Sequence, residues 1–238
     1  MIDLAQFEYL SFDCYGTLID WEAGILGYLG PLLRGRGVRA TDETILNLYS
    51  EFEPRQQQPA YRRYREVLAA VVRDFGVQFD CAITDGEAAG LAESIREWRP
   101  FPDTVAALHS LRTHYKLAML SNIDDDLFAL TAPKLGVELD LVVTAQQVGS
   151  YKPSRRNFEE LMRRLPVGKA RLLHVAESLY HDVVPARELG IATVWVNRRQ
   201  GRPAAATKAV AAQPDMEVAT VGALADLAEG ATKGAGTK

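Results

Sequence analysis

Short apolar runs alternate along this chain with longer stretches in which apolar residues recur every three or four positions. The runs are Leu10 to Phe12, Lys116 to Leu120, Leu141 to Thr144, Arg171 to Val175 and Ile191 to Val196. They lack the polar alternation of a half-exposed strand, so they predict strands covered on both faces and therefore a parallel sheet. Thr104 to Arg112, Asp126 to Leu135 and Phe158 to Leu165 carry apolar residues at helical spacing. This alternation predicts an α/β fold, a Rossmann-like, doubly wound, mostly parallel sheet with helices on its faces.

From about Trp21 to Trp98 the alternation stops. Ile45, Leu48 and Phe52 form one helical stripe, and Tyr61, Tyr64, Leu68, Val71 and Phe75 another, with no convincing strand between them. The pattern predicts a helical cap, residues 21–98, inserted after the first strand of a catalytic core made of residues 1–20 and 99–228. Pro100 and Pro102 punctuate the return. A weak strand is expected at Glu217 to Thr220 and a short helix near Leu224 to Leu227. Residues 229–238, rich in Gly, Ala, Thr and Lys, are expected to be disordered.

Composition narrows the class of partner. With 238 residues, 47% of them hydrophobic, the chain is long enough to bury a sizeable core. Its formal net charge of -4 and lack of a basic tract argue against nucleic acid and anionic membrane, which leaves a small molecule as the expected partner. No apolar run approaches a membrane span and the first residues have no signal-peptide pattern, so a cytoplasmic location is expected. Cys14 and Cys81 have neither metal-motif spacing nor a disulfide framework and read as free thiols.

Ligands of open parallel sheets bind beyond the carboxyl ends of the strands, so the polar residues following each apolar run are candidates for one site. After the first run come Asp13, Tyr15 and Thr17, and after the second Ser121 and Asn122. Lys152 precedes a helix in Gly149-Ser-Tyr-Lys-Pro, and the fourth run is followed by Glu177, Ser178 and Asp182. A carboxylate is a weak nucleophile in water and needs a partly desolvated site and an aimed substrate. A lysine within about 4–6 Å would keep it ionised. Local readings compete with these roles: Asp13-Cys-Tyr-Gly as turn chemistry, Ser121-Asn122 and Asp182 as helix N-caps, Lys152 as a surface residue.

The motifs Asp13-Cys-Tyr-Gly-Thr-Leu, Leu120-Ser-Asn122, Lys152-Pro and Glu177-Ser-Leu-Tyr-His-Asp182, in this order at strand ends, resemble those of the haloacid dehalogenase superfamily, and within it the 2-haloacid dehalogenases. The resemblance implies hydrolysis of a short 2-haloacid to a 2-hydroxy acid through an ester on Asp13, with no cofactor. Lys152 would orient Asp13, and Asp182 would orient or deprotonate the water. Tyr15, Thr17, Ser121, Asn122 and Ser178 would form the substrate side of the site. A homodimer is a further expectation from the resemblance.

Two positions pull in different directions. Phosphatases of the superfamily carry an aspartate where this chain has Tyr15, a proton donor whose loss should cost roughly 10²–10⁴-fold in rate. The dehalogenases place an asparagine in the fourth motif, whereas Glu177 and Asp182 resemble a phosphatase metal pair that, with Asp13, would hold Mg²⁺. A Mg²⁺-dependent phosphatase acting on a small phosphate ester is therefore the alternative, and an inactive small-carboxylate-binding protein the second. The family also uses a cap arginine, for which Arg55, Arg62, Arg63 and Arg65 are candidates. Phe158 stands where the dehalogenases often have a tyrosine. His174 reads as core, His181 as surface or site rim, and Trp21, Trp98 and Trp195 as packing residues.

Overall fold

The computed structural model describes residues 2–58, 60–200 and 210–235, with the side chains of 232–235 left aside. Six parallel strands form one sheet in the order β3-β2-β1-β4-β5-β6. They are β1 (Tyr9–Phe12), β2 (Lys116–Ser121), β3 (Leu141–Thr144), β4 (Leu172–Ala176), β5 (Ala192–Val196) and β6 (Met216–Val218). β1 and β4 are buried at every position, as their unbroken apolar patterns require. The order reverses at β1, which pairs with both β2 and β4. A crevice opens at such a switch point beyond the strand ends.

Helices α1 (Trp21–Gly35), α2 (Asp42–Gln56), α3 (Tyr64–Gln78) and α4 (Asp85–Ser94) lie between β1 and β2 in sequence and make the cap. The cap's two linkers run side by side: Asp20 N donates to Arg99 O at 2.9 Å and Phe101 N to Leu18 O at 3.0 Å. The remaining helices are α5 (Thr104–Arg112), α6 (Asp125–Thr131), α7 (Ala145–Val148), α8 (Arg155–Arg164), α9 (Val184–Glu188) and α10 (Val221–Ala235).

The α2 stripe differs from the expected one. Ile45, Tyr49, Phe52 and Glu53 are buried, whereas Leu48 is half-buried. Tyr61 lies ahead of α3 rather than on it.

The cap docks on the core through the start of α3. Its own N-cap residue, Arg63, makes no side-chain capping bond. Asp124, buried on the loop after β2, instead accepts from Tyr64 N and Arg65 N, each at 3.0 Å. A core carboxylate thus satisfies donors that an uncapped helix start leaves free. Arg63 and Arg65 add ion pairs to Asp126 at 2.6 and 3.0 Å.

The expected disorder beyond Glu229 is corrected over the described residues, since α10 runs to Ala235. Val221, Leu224, Ala225 and Ala228 are buried in the main core and Ala231 packs against it. Ser110 Oγ also donates to Glu229 Oε1 at 2.7 Å. Small alanines continue the buried stripe where composition alone suggested a solvated tail. Residues 236–238 lie outside the described part.

Candidate active site

The tight turn after β1 aims Asp13 at the crevice. Gly16 adopts φ 96°, and a Cβ there would meet Trp21 Nε1 at 3.0 Å. Only glycine accepts that conformation without strain. The turn brings the Thr17 hydroxyl back to Asp13 Oδ2 at 2.7 Å, and the same oxygen of Thr17 accepts Glu177 N at 2.9 Å. Thr17 therefore ties the β1 turn to the β4 turn as well as orienting Asp13.

Lys152 Nζ donates to Asp13 Oδ1 at 2.8 Å, Asp182 Oδ1 at 2.6 Å and Leu120 O at 3.0 Å. Those bonds use all of an ammonium's donors. Lys152 is 2% exposed, which removes the surface reading. Burial would push its ammonium down, but Asp13 and Asp182 outweigh that and hold it above the usual lysine range. Asn122 faces the same cavity, yet its carboxamide clamps the Lys152 main chain: Oδ1 accepts Lys152 N at 2.7 Å and Nδ2 donates to Lys152 O at 3.0 Å.

Asp182 sits in a π-helical turn, Leu179–Val183, that leads into α9. Ser178 caps this turn by accepting His181 N at 3.0 Å, so Asp182 is not the N-cap. Its carboxylate points inward, and Oδ1 also meets His174 Nε2 at 2.9 Å. An ionised carboxylate only accepts, so His174 Nε2 carries the hydrogen in that pair, and Nδ1 is hydrogen-bonded to Ser11 Oγ at 2.8 Å. His174 is core, as its apolar run suggested, but it also braces Asp182. Phe158 packs edge-on against it, with ring centroids 5.2 Å apart.

Burial raises Asp13, opposed by Lys152 and Thr17. Burial also pushes Asp182 upward, but Lys152 and His174 prevail and hold it below the ordinary aspartate range. Two buried polar atoms here have no protein partner among the described residues, Asp182 Oδ2 and Ser121 Oγ.

The cavity between core and cap has a volume of about 50 Å³, room for a few heavy atoms. Asp13, Tyr15, Ser121, Asn122 and Lys152 line its floor, and Glu177, Ser178, His181 and Asp182 one wall. Every site residue expected from the sequence thus faces one space, except Thr17, which acts through Asp13 and Glu177. The Tyr15 ring faces the cavity, but its hydroxyl bonds Thr131 Oγ1 at 2.8 Å. Burial, helped by Lys152 and opposed by Asp182, lowers His181 to about 4, so it is neutral at pH 7.

Trp21, Glu53 and Tyr64 form the roof, and sequence reasoning assigned none of them to the site. Glu53 stands four residues after Tyr49 and eight after Ile45 on the buried stripe of α2, the one signal that could have found it. None of the four arginines proposed for the cap faces the cavity. Arg55 lies over the Phe52 ring at 4.7 Å, Arg62 bonds Gln56, and Arg63 and Arg65 serve the cap–core contact.

Among the described residues no group of three or more His, Cys, Asp or Glu side chains is placed to hold a metal ion. Asp13, Glu177 and Asp182, the set for Mg²⁺ in the alternative reading, therefore do not fit one. The cation that Asp13 and Asp182 share is Lys152. Both cysteines are free, and Cys14 is buried. No described helix is long and apolar enough to cross a membrane.

A buried carboxylate at a parallel-sheet switch point, held by lysine and threonine under a helical cap, marks an α/β protein with a candidate active site at its strand ends. Residues 8–190 match the family described as haloacid dehalogenase-like hydrolase, and the chain belongs to that family. It is 27% identical over 206 residues to (S)-2-haloacid dehalogenase 4A of Burkholderia cepacia, covering 81% of this chain and 83% of that one. It is 25% identical over 201 residues to haloacetate dehalogenase H-2 of Moraxella sp. (strain B), covering 82% and 88%. The solved L-2-haloacid dehalogenase of Xanthobacter autotrophicus superposes with TM-score 0.80 at 20% identity, covering 94% of this chain and 99% of that one.

Proposed function

We propose that this hydrolase converts a short 2-haloacid to a 2-hydroxy acid through an ester on Asp13. The observation that carries this reading is Tyr15. A phosphatase needs a proton donor at that position to release an alcohol, whereas the tyrosine hydroxyl is turned to Thr131. Halide leaves as a stable anion and needs no proton.

In the proposed reaction Asp13 attacks C2, and the halide departs with the bonding pair. Lys152 and Thr17 fix the carboxylate for this attack. Water then adds to Cγ of Asp13, and the bond from Cγ to the ester oxygen, one of Asp13's own, breaks. That oxygen leaves as the hydroxyl of the product with a proton from the water, whose oxygen remains on Asp13. Asp182 Oδ2, buried and without a protein partner, is suited to accept a hydrogen bond from that water. Ser121 Oγ is suited to the substrate carboxylate on the same ground.

The test is halide release from 2-chloropropionate in EDTA, together with the mass of an ester on Asp13 in rapidly quenched enzyme. Asp13→Asn is expected to lower release by at least roughly 10³-fold. No halide from any fluoro-, chloro- or bromoacid would sink the reading. Turnover of p-nitrophenyl phosphate on adding Mg²⁺ would replace it with the phosphatase reading, and saturable acid binding without turnover with a binding protein.

A further inference from the structure

The roof of the cavity holds an acid for which neither the chemistry of Asp13 nor the family's expected arginine accounts. Glu53 is 5% exposed and lines the space that Asp13 faces. Its Oε1 accepts the Tyr64 hydroxyl at 2.6 Å, and the Tyr49 hydroxyl lies 3.4 Å away. The two tyrosine oxygens are themselves 3.1 Å apart. No cation pairs with Glu53 among the described residues; Arg55, two positions on, turns outward to Asp74.

We infer that Glu53, as a neutral carboxylic acid, is the roof's hydrogen-bond donor to the anion that forms on the cap side of Asp13. This inference rests on the proposed reaction, in which that anion is the departing halide. With Oε1 engaged by hydroxyl donors, the proton belongs on Oε2, the oxygen those hydroxyls leave free. No proton is transferred; the acid donates a hydrogen bond and keeps its hydrogen.

The surroundings favour the neutral form. Across the cavity stand Asp13 and Asp182 with only Lys152 between them, and Glu177, His181 neutral, on the wall. From α3 comes Tyr64, from α2 Tyr49, and from the loop before α8 Tyr151, whose ring lies 6.1 Å from that of Tyr64. None of these groups beside Glu53 is positive except Lys152, which is already committed to two carboxylates. Burial accordingly raises Glu53 to about 7, with the two tyrosines opposing. Above that pH an ionised roof repels the anion it would otherwise bind. The donor is switched off within the ordinary pH range.

Binding is read separately from turnover. Calorimetry with bromide, the anion itself, on Asp13→Asn is expected to show affinity falling about tenfold per pH unit above 7. The same titration on Asp13→Asn/Glu53→Gln should be flat to pH 8.5, because the carboxamide keeps a donor and cannot ionise. Tyr64→Phe removes a donor to the ionised form and should move the fall upward by roughly one pH unit. Glu177→Gln, also near 7 in wild type, should leave the fall in place.

A fall that persists unchanged in the Glu53→Gln background overturns the inference, as does the absence of any binding from pH 5.5 to 8.5. Glu53-dependent binding without halide release from the wild-type enzyme would support the inference while sinking the dehalogenase reading. Halide release with a pH profile indifferent to Glu53→Gln would do the reverse.

Discussion

The floor and the roof of one cavity treat their carboxyl groups in opposite ways. On the floor and the wall beside it, Asp13 and Asp182 converge on Lys152 with distances of 2.8 and 2.6 Å, and the Thr17 hydroxyl and the His174 ring hold them further. On the roof, Glu53 has tyrosine hydroxyls and, among the described residues, no cation. Burial raises all three, but only the floor supplies a charge to oppose it. Identical chemistry therefore yields a fixed anion at Asp182 and a titratable acid at Glu53. The neighbours, rather than the depth of burial, decide the state.

Removing the cation should erase the contrast, and this is the largest effect expected. Lys152→Met would leave Asp13 and Asp182 buried side by side with no positive charge. Breaking a buried pair in this way costs about 3–5 kcal/mol. Urea unfolding at pH 8 should show that loss, and a smaller one at pH 5, where protonation of one aspartate relieves the repulsion. Equal losses at both pH values would mean that Lys152 contributes packing rather than charge.

The roof predicts the opposite dependence on the same axis. Glu53 titrates near 4.5 in an unfolded chain and near 7 in the folded one. The folded state therefore binds the extra proton, and the contribution to stability is full below 4.5 and is lost as pH rises to 7. The shift corresponds to about 3 kcal/mol, an order-of-magnitude figure. Relative to wild type, Glu53→Gln should gain stability as the pH is raised from 5 to 8, read as a rising difference in Tm. A constant difference would mean that Glu53 is already ionised when buried.

The sequence carried the floor better than the roof for a physical reason. Strands buried on both faces leave an uninterrupted apolar signature, so their ends were visible, and with them Asp13, Ser121, Lys152 and Asp182. His174 lay inside such a run, and its polar role was hidden by the pattern that located the strand. The roof depends on helical phase, where an error of one residue changes the face. Taking Leu48 for Tyr49 moved Glu53 off the buried stripe, and the arginines around it drew attention by charge. Arg63 and Arg65 instead secure the cap against Asp126. Alanine in α10 misled in another way, since a residue small enough for a loop also fits a tightly packed helix.

The smallest expected effect tests whether Tyr15 belongs to the floor as a surface or as a reagent. Its ring lines the cavity and meets Trp98 edge-on, with centroids 5.8 Å apart, while its hydroxyl is spent on Thr131. Burial raises the Tyr15 phenol well above its usual range, so it does not act as an anion near neutrality. Tyr15→Phe keeps the ring and leaves the buried Thr131 hydroxyl without this partner, which should cost about 1 kcal/mol of stability. Halide release should stay within roughly twofold of wild type, because a hydrogen bond outside the reacting atoms gives no differential stabilisation of the transition state. A tenfold fall in kcat with little change in unfolding midpoint would place the hydroxyl in the reaction. It would also remove the argument that position 15 has no proton donor to offer, which is the ground for preferring carbon over phosphorus as the target of Asp13.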